Sequence, residues 1–238
     1  MEINNSRVLI TGGSSGIGKE TAKQFIAKGA TVVITGRNEN KLKKVAHEIG
    51  AIPLVFDISD LKSIVQKAKD ALSLLEGKID TLVNNAGIGA FPLLGEITEN
   101  DLQSVYNTNV FGMALLTQEL LPKFKEQRSG NIINIGGTAS QKGFAQGSVF
   151  AASKFAVRGM TQSWQAELRK YNIRVTLVNP SEVTTAFTYQ PRKTQEERKE
   201  QENKLGSEDI AHTIISIVEM RNKGFIPEVT VWATNPFK

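Results

Sequence analysis

Short runs of Val, Ile and Leu alternate along the chain with segments whose apolar residues recur every three or four positions. RVLIT precedes KETAKQFIAKG, TVVIT precedes ENKLKKVAHEIG, IPLVF precedes DLKSIVQKAKDALSLL, and IDTLVNN follows. The first member of each pair lacks polar alternation and reads as a strand buried on both faces; the second reads as an amphipathic helix. Strands joined through regular helical crossovers form a parallel sheet. The pattern resumes with a helix over Asp101 to Gln127, the strand GNIINIG, a long helix from Phe150 to Tyr171 and the strand IRVTLVN. An apolar helix near Ile210 to Met220 and a short strand at Val229 to Trp232 close it. There is no internal repeat and no low-complexity linker, so residues 1–238 read as one domain. The one compositional break runs from Thr184 to Gly206, polar and helical in pattern after Pro191. It reads either as an exposed helical excursion or as a mobile substrate flap over a pocket.

Composition narrows the function classes. The 238 residues are 40% apolar and 22% charged, as in a soluble globular protein. The absence of Cys excludes disulfides and thiolate metal sites and fits a reducing compartment. The N-terminal residues MEINNSRVLIT lack an apolar segment with a cleavage site, and no run reaches membrane-spanning length, so a cytoplasmic location is expected. The net charge of +5 is scattered among Glu and Asp, which favours a solvated surface over nucleic-acid binding. His47 and His212 are far apart in sequence, and no metal site is expected.

The first strand runs straight into GGSSGIG and then into a helix. Gly12, Gly16 and Gly18 stand where the chain turns tightly, and Ser14, Ser15 and Ile17 complete a loop that aims helix N-terminal amides at a pyrophosphate. At the end of the second strand, where an NAD-preferring fold places a carboxylate, stand Gly36, Arg37 and Asn38. A guanidinium there suits a phosphate, so the expected cofactor is NADP(H); the bland alternative is a surface Arg in a loop. Asp57 with Ile58, and Asn84 with Asn85, follow the third and fourth strands, at the carboxyl ends where open sheets bind ligands. Each also has a local reading: Asp57 as a helix cap, the asparagines as backbone ties, and Asn109 as a bond to a carbonyl inside its own helix.

With TGGSSGIG (11 to 18), NNAG (84 to 87), Asn109 in NTNVFG, Lys154 in FAASK and NPSEVTT (179 to 185) in this order, the chain resembles the short-chain dehydrogenase/reductase family over nearly its whole length. The resemblance implies a Rossmann-type sheet of seven strands and hydride transfer between a nicotinamide cofactor and a carbonyl or alcohol. It would set Asp57 at the adenine amino group and Asn85, Ala86 and Gly87 beside the adenine ribose. Lys154 would hold the nicotinamide ribose, and Pro180, Val183 and Thr185 would seat the nicotinamide. Ser181 stands where the family commonly has Gly.

Two positions depart from that pattern. The family's proton-donating Tyr falls on Phe150, and its oxyanion-binding Ser, thirteen residues earlier, falls on Gly137. Carbonyl reduction needs a proton on oxygen, which a Tyr beside Lys154 would supply and Phe150 lacks. Thr138 and Ser140 are the hydroxyls nearest in sequence to the empty Ser position, and Ser148 and Ser153 lie by the Tyr position. Tyr106, Tyr171 and Tyr189 lack a Lys four residues on, and only Tyr189, in the flap, is a distant substitute. Asn109 and Lys154 are thus the remaining catalytic candidates, and ordinary ketone reduction is expected to be strongly impaired.

Three functions stay open: a scaffold for reducing ketones or oxidising secondary alcohols, an NADP(H)-binding protein without turnover, and an enzyme reducing a pre-activated acceptor such as an imine. A Rossmann-like methyltransferase would give Arg37 and Lys154 no role. Substrate choice would lie in the loop after Gly137, in Ala90 to Leu94 and in the flap. The two long helices carry apolar residues beyond what one sheet face needs, including Trp164, and the resemblance, whose members commonly pair these helices across a two-fold axis, implies a homodimer or homotetramer; alternatively Trp164 is core.

Overall fold

A computed structural model describes residues 2–185, 187, 201 and 203–236. Of the stretch 184–206, residues 186, 188–200 and 202, Tyr189 among them, therefore lie outside the described residues. In chain order the elements are β1 (Arg7–Ile10), α1 (Gly16–Ala27), β2 (Thr31–Gly36), α2 (Glu39–Ile49), β3 (Ile52–Val55), α3 (Ile64–Leu74) and β4 (Thr81–Asn84). There follow α4 (Glu99–Tyr106), α5 (Met113–Gln127), β5 (Gly130–Ile135), α6 (Ser148–Leu168), β6 (Ile173–Pro180), α7 (Ser207–Glu219) and β7 (Glu228–Val231). The strands form one seven-stranded sheet in the order β3-β2-β1-β4-β5-β6-β7. Every pairing is parallel, as the helical crossovers require.

Alternate residues of each strand feed two apolar layers, because successive side chains point to opposite faces. Val8 and Ile10 join Phe25, Leu42 and Ile214 beneath α1, α2 and α7. Leu9 and Leu82 join Leu116, Leu120 and Phe124 on the face of α3 and α5. The strand order reverses between β1 and β4, which opens a crevice at the carboxyl ends on either side of that junction.

The helix expected over 101–127 is two helices separated by a widened turn at Asn107–Gly112. Thr98 and Asp101 close a reciprocal capping box at its start. Gly112 lies where a Cβ would come within 2.1 Å of the Ile58 carbonyl oxygen, so the turn packs backbone to backbone against the loop after β3. The long helix begins two residues earlier than the pattern suggested, at Ser148, and ends in a tighter turn at Arg169–Tyr171. Trp164 is partly buried against the core, which is the core reading of that residue. The apolar groups left exposed nearby are Phe111 and Phe155.

A chain of buried polar side chains ties α5 and α6 to the sheet. Asn84 Nδ2 donates to Thr117 Oγ1 (3.0 Å) and to Asn134 Oδ1 (2.8 Å), and Asn134 Nδ2 donates to Thr161 Oγ1 (2.8 Å). Replacing Asn134 by Ala strands a donor on Asn84 in a dry interior. Asn134→Ala is therefore expected to lower stability by about 1–3 kcal/mol in urea unfolding; an unchanged midpoint would refute a stabilising role for the chain.

Candidate functional site

The crevice at the strand reversal is a cleft of ≈ 740 Å³ lined by residues from both halves of the sheet. At one end lies the loop between β1 and α1. Gly12 (φ +69°) and Gly16 (φ +53°) hold left-handed backbone that other residues rarely adopt. A Cβ on Gly18 would sit 2.4 Å from the Gly12 carbonyl oxygen, so α1 can begin this close to the loop only with glycine there. Gly13, not singled out by the sequence pattern, is constrained in the same way: its Cβ would fall 2.6 Å from Ile34 Cβ. No side chain caps α1 and no acidic residue stands in its first turn. Its N-terminal amides thus face the cleft as an anion site, which fits a dinucleotide pyrophosphate.

The wall opposite is built by β4. Thr11 Oγ1 accepts from the backbone N–H groups of Asn85 and Ala86, each at 3.0 Å. Asn85 Nδ2 in turn donates to the carbonyls of Thr11 (2.9 Å) and Gly12 (3.0 Å). Asn85 therefore does tie backbone together, as its local reading holds, and this tie sets the phosphate loop beside Ala86 and Gly87. Asp57 lines the cleft while its Oδ1 accepts from Ser59 N (3.0 Å) and Ser59 Oγ (2.7 Å). It organises a turn ahead of α3, whose own N-cap is Ser63. Ser14, Ser15, Ile17, Arg37 and Ile58 line the same end. Asn38 caps α2 by accepting from Lys41 N at 3.0 Å; it and Gly18 stand behind the lining and shape it indirectly.

Pro180 at the end of β6, and Val183 and Thr185 beyond it, also line the cleft. Val183 bridges to Leu205, and Thr184 N donates to the Leu205 carbonyl at 2.9 Å. A Cβ on Gly16 would meet Thr185 Cγ2 at 3.2 Å, so this loop closes against the phosphate loop.

Asn109 does not bond a carbonyl of its own helix. Its amide clasps Ile88: Oδ1 accepts from Ile88 N and Nδ2 donates to Ile88 O, both at 2.9 Å. Nδ2 also reaches Ser153 Oγ at 3.0 Å, linking the widened turn to α6. Asn109 is buried behind the lining and shapes the cleft through Ile88.

Lys154 is buried beside it. Its Nζ donates to the Ile135 carbonyl at 2.9 Å and lies 5.6 Å from the centroid of the Phe150 ring. Burial lowers its pKa to about 8, since an ammonium in a dry pocket loses its hydration. The Phe150 ring contacts Phe91 (centroids 5.2 Å apart) and Phe187 (5.6 Å), and Phe91 meets Phe144 (6.1 Å). These aromatic partners carry no motif; proximity in the fold is their only signal.

Gly137 is more than a missing hydroxyl. Its backbone sits at φ +129°, ψ 164°, a region essentially reserved for glycine, although the space around it is open. Of the candidate hydroxyls, Ser140 Oγ, near Gly137 in sequence, is committed to Asn179 Oδ1 (2.8 Å), and Ser153 Oγ, near Phe150, to the Phe150 carbonyl (2.7 Å). Thr138 lines the cleft. Among the described residues no group of three metal-ligating side chains occurs, and no helix is long and apolar enough to cross a membrane.

Comparison with known proteins gives a consistent picture. The family model described as short chain dehydrogenase matches residues 6–196. The chain is 36% identical over 196 residues to a 3-oxoacyl-[acyl-carrier-protein] reductase of Thermotoga maritima, covering 79% of this chain and 78% of the relative. It is 35% identical over 189 residues to dehydrogenase/reductase SDR family member 7B of Xenopus laevis, covering 75% of this chain but 58% of that longer protein. Among solved structures it is similar to a metagenomic short-chain oxidoreductase in complex with NADP, with a TM-score of 0.83, 29% identity and coverage of 97% and 98%.

The buried ammonium has a measurable consequence. Folding lowers the pKa of Lys154 from 10.5 to about 8, so between those values the unfolded chain binds more protons than the folded one. Stability measured against a Lys154→Met variant should therefore rise with pH across that window, by up to about 1.4 kcal/mol per unit. A flat difference in urea unfolding would place Lys154 in contact with solvent.

Proposed function

The chain belongs to the short-chain dehydrogenase family and is an oxidoreductase by that membership, and from this premise we propose that it holds NADP(H) in the cleft but reduces ordinary ketones poorly. The observation that carries the proposal is the Phe150 ring beside the buried Lys154 ammonium, where a proton donor would be needed. In the assignment offered, the first turn of α1 takes the pyrophosphate and Arg37 the ribose phosphate of the coenzyme. Asp57, Asn85, Ala86 and Gly87 bound the adenosine. Lys154 takes the nicotinamide ribose hydroxyls, and Pro180, Val183 and Thr185 seat the ring. Bound there, the coenzyme supplies a hydride to an acceptor carbon.

The protein's side chains govern what happens at the acceptor oxygen. Loss of a positioned general acid lowers rate by about 10²–10⁴, and loss of an oxyanion donor by about 10²–10³. The two act on one transition state, so the losses do not simply multiply. Exposed Phe111 and Phe155 on the α5 and α6 flank support a homodimer or homotetramer built across those helices.

Two measurements test this reading. Phe150→Tyr places a phenol next to Lys154 and is expected to raise NADPH-dependent ketone reduction at least about a hundredfold. Adding Gly137→Ser should gain less than an oxyanion donor normally gives, because the φ of +129° strains any side chain by about 1–3 kcal/mol. Brisk ketone turnover by the unaltered chain would refute the proposal. For the coenzyme, Arg37→Ala should weaken NADPH binding about tenfold and NADH binding little, read by fluorescence titration; equal effects on both would remove Arg37 from phosphate recognition.

A further inference from the structure

Four phenylalanines from four separate stretches converge on the acceptor end of the cleft. Phe150 lies between Phe91 and Phe187, its ring tilted 48° to the first and 50° to the second, and Phe144 extends the series outward from Phe91. Phe144 and Phe187 are 50% and 39% exposed, an unusual placement for Phe unless something covers them. The arrangement is enabled by Gly89, whose Cβ would stand 2.5 Å from Phe91 Cε2 and 3.3 Å from Phe187 Cε1. A larger residue there would push both rings out.

The charge around these rings is equally selective. Lys154 places an ammonium 5.6 Å from the centroid of the Phe150 ring, which repels a cation such as an iminium. Of the carboxylates lining the cleft, Asp57 accepts from Ser59 and Glu182 is paired with Lys204. The rings themselves offer apolar aromatic surface, which suits a flat aromatic molecule.

The proton requirement narrows the class further. A reduced ketone is an alkoxide until protonated, a base comparable in strength to hydroxide. A reduced quinone is a phenolate, whose conjugate acid lies near about 10 as in tyrosine. The first needs an acid in the transition state; the second does not.

Resting on the NADP(H) reading above, we propose that the Phe91, Phe150 and Phe187 rings form a subsite for a flat, uncharged quinone of about two fused rings. The reduction balances as follows: the C–H bond of the reduced coenzyme breaks, its hydride adds to a ring carbon conjugated with a quinone carbonyl, and the electron pair moves to that oxygen as an enolate; water then removes one proton from that carbon and supplies one to each oxygen, a net gain of one proton, giving the hydroquinone and the oxidised coenzyme.

Calorimetric titration of the NADP⁺-saturated protein, in which no turnover occurs, tests the subsite directly. The probes are 1,4-naphthoquinone and decalone, a saturated ketone of similar size. The chain contains no Cys, so thiol adducts of the quinone do not confuse the reading. Naphthoquinone is expected to bind at least tenfold more tightly than decalone. Phe91→Ala and Phe187→Ala are each expected to weaken it at least fivefold while leaving NADP⁺ affinity within twofold. With NADPH, naphthoquinone should be consumed at least a hundredfold faster than decalone. Coenzyme binding with equal affinity for the two probes, or with no response to either Phe variant, overturns the subsite alone. Failure to bind NADP⁺ overturns the coenzyme reading and this inference with it.

Discussion

The cleft depends on a short line of amide and hydroxyl groups buried between the sheet and two helices. Asn84 and Asn134 face each other on paired strands, and each reaches outward to a threonine, Thr117 on α5 and Thr161 on α6. Both threonines also donate to carbonyls four residues back, so each hydroxyl is used twice. Apolar packing alone tolerates sliding of a helix along a sheet, whereas a stranded buried amide costs about 1–3 kcal/mol. The line therefore favours one seating of α5 and α6. Lys154 stands two turns before Thr161 on the same helix, and this seating carries its ammonium to the end of β5.

A second polar network shapes the glycine pair after β5. Asn179 Oδ1 accepts from Gly137 N (3.2 Å) and Ser140 Oγ (2.8 Å), while its Nδ2 donates to Glu228 Oε1 (2.9 Å). Arg158 pairs with the other oxygen of Glu228 at 3.1 Å. A Cβ on Gly136 would lie 2.3 Å from Asn179 Oδ1, so this approach requires glycine. The backbone at Gly137 has settled into a conformation of its own. Gly137 thus combines the lack of a hydroxyl with a backbone that other residues rarely adopt.

These constraints leave a cleft with two unlike ends. One is polar, built of turn glycines and helix amides, and suited to phosphates. The other is aromatic, with the buried Lys154 ammonium beside it. The contrast favours a mobile acceptor that is itself apolar, because little at that end would offset the desolvation of a polar one. The exposed faces of Phe144 and Phe187 extend the apolar end to the mouth.

Much of this was legible in the residue order. Uninterrupted Val and Ile runs separated by helical periods specify a parallel sheet, since the pattern is local and the crossover geometry follows from it. The glycine loop, Arg37, Lys154 and the absence of hydroxyls at 137 and 150 were equally local features. The clasp of Asn109 on Ile88 was not, because it spans the widened turn that the helical pattern of 101–127 concealed. Nor was the aromatic cluster, whose members lie as far apart as Phe91 and Phe187 and obey no common period. Sequence fixes what each segment prefers over a turn or two of chain. Which side chains from distant segments share one dry pocket, and what backbone angle Gly137 takes there, is decided only when the sheet brings their strand ends together.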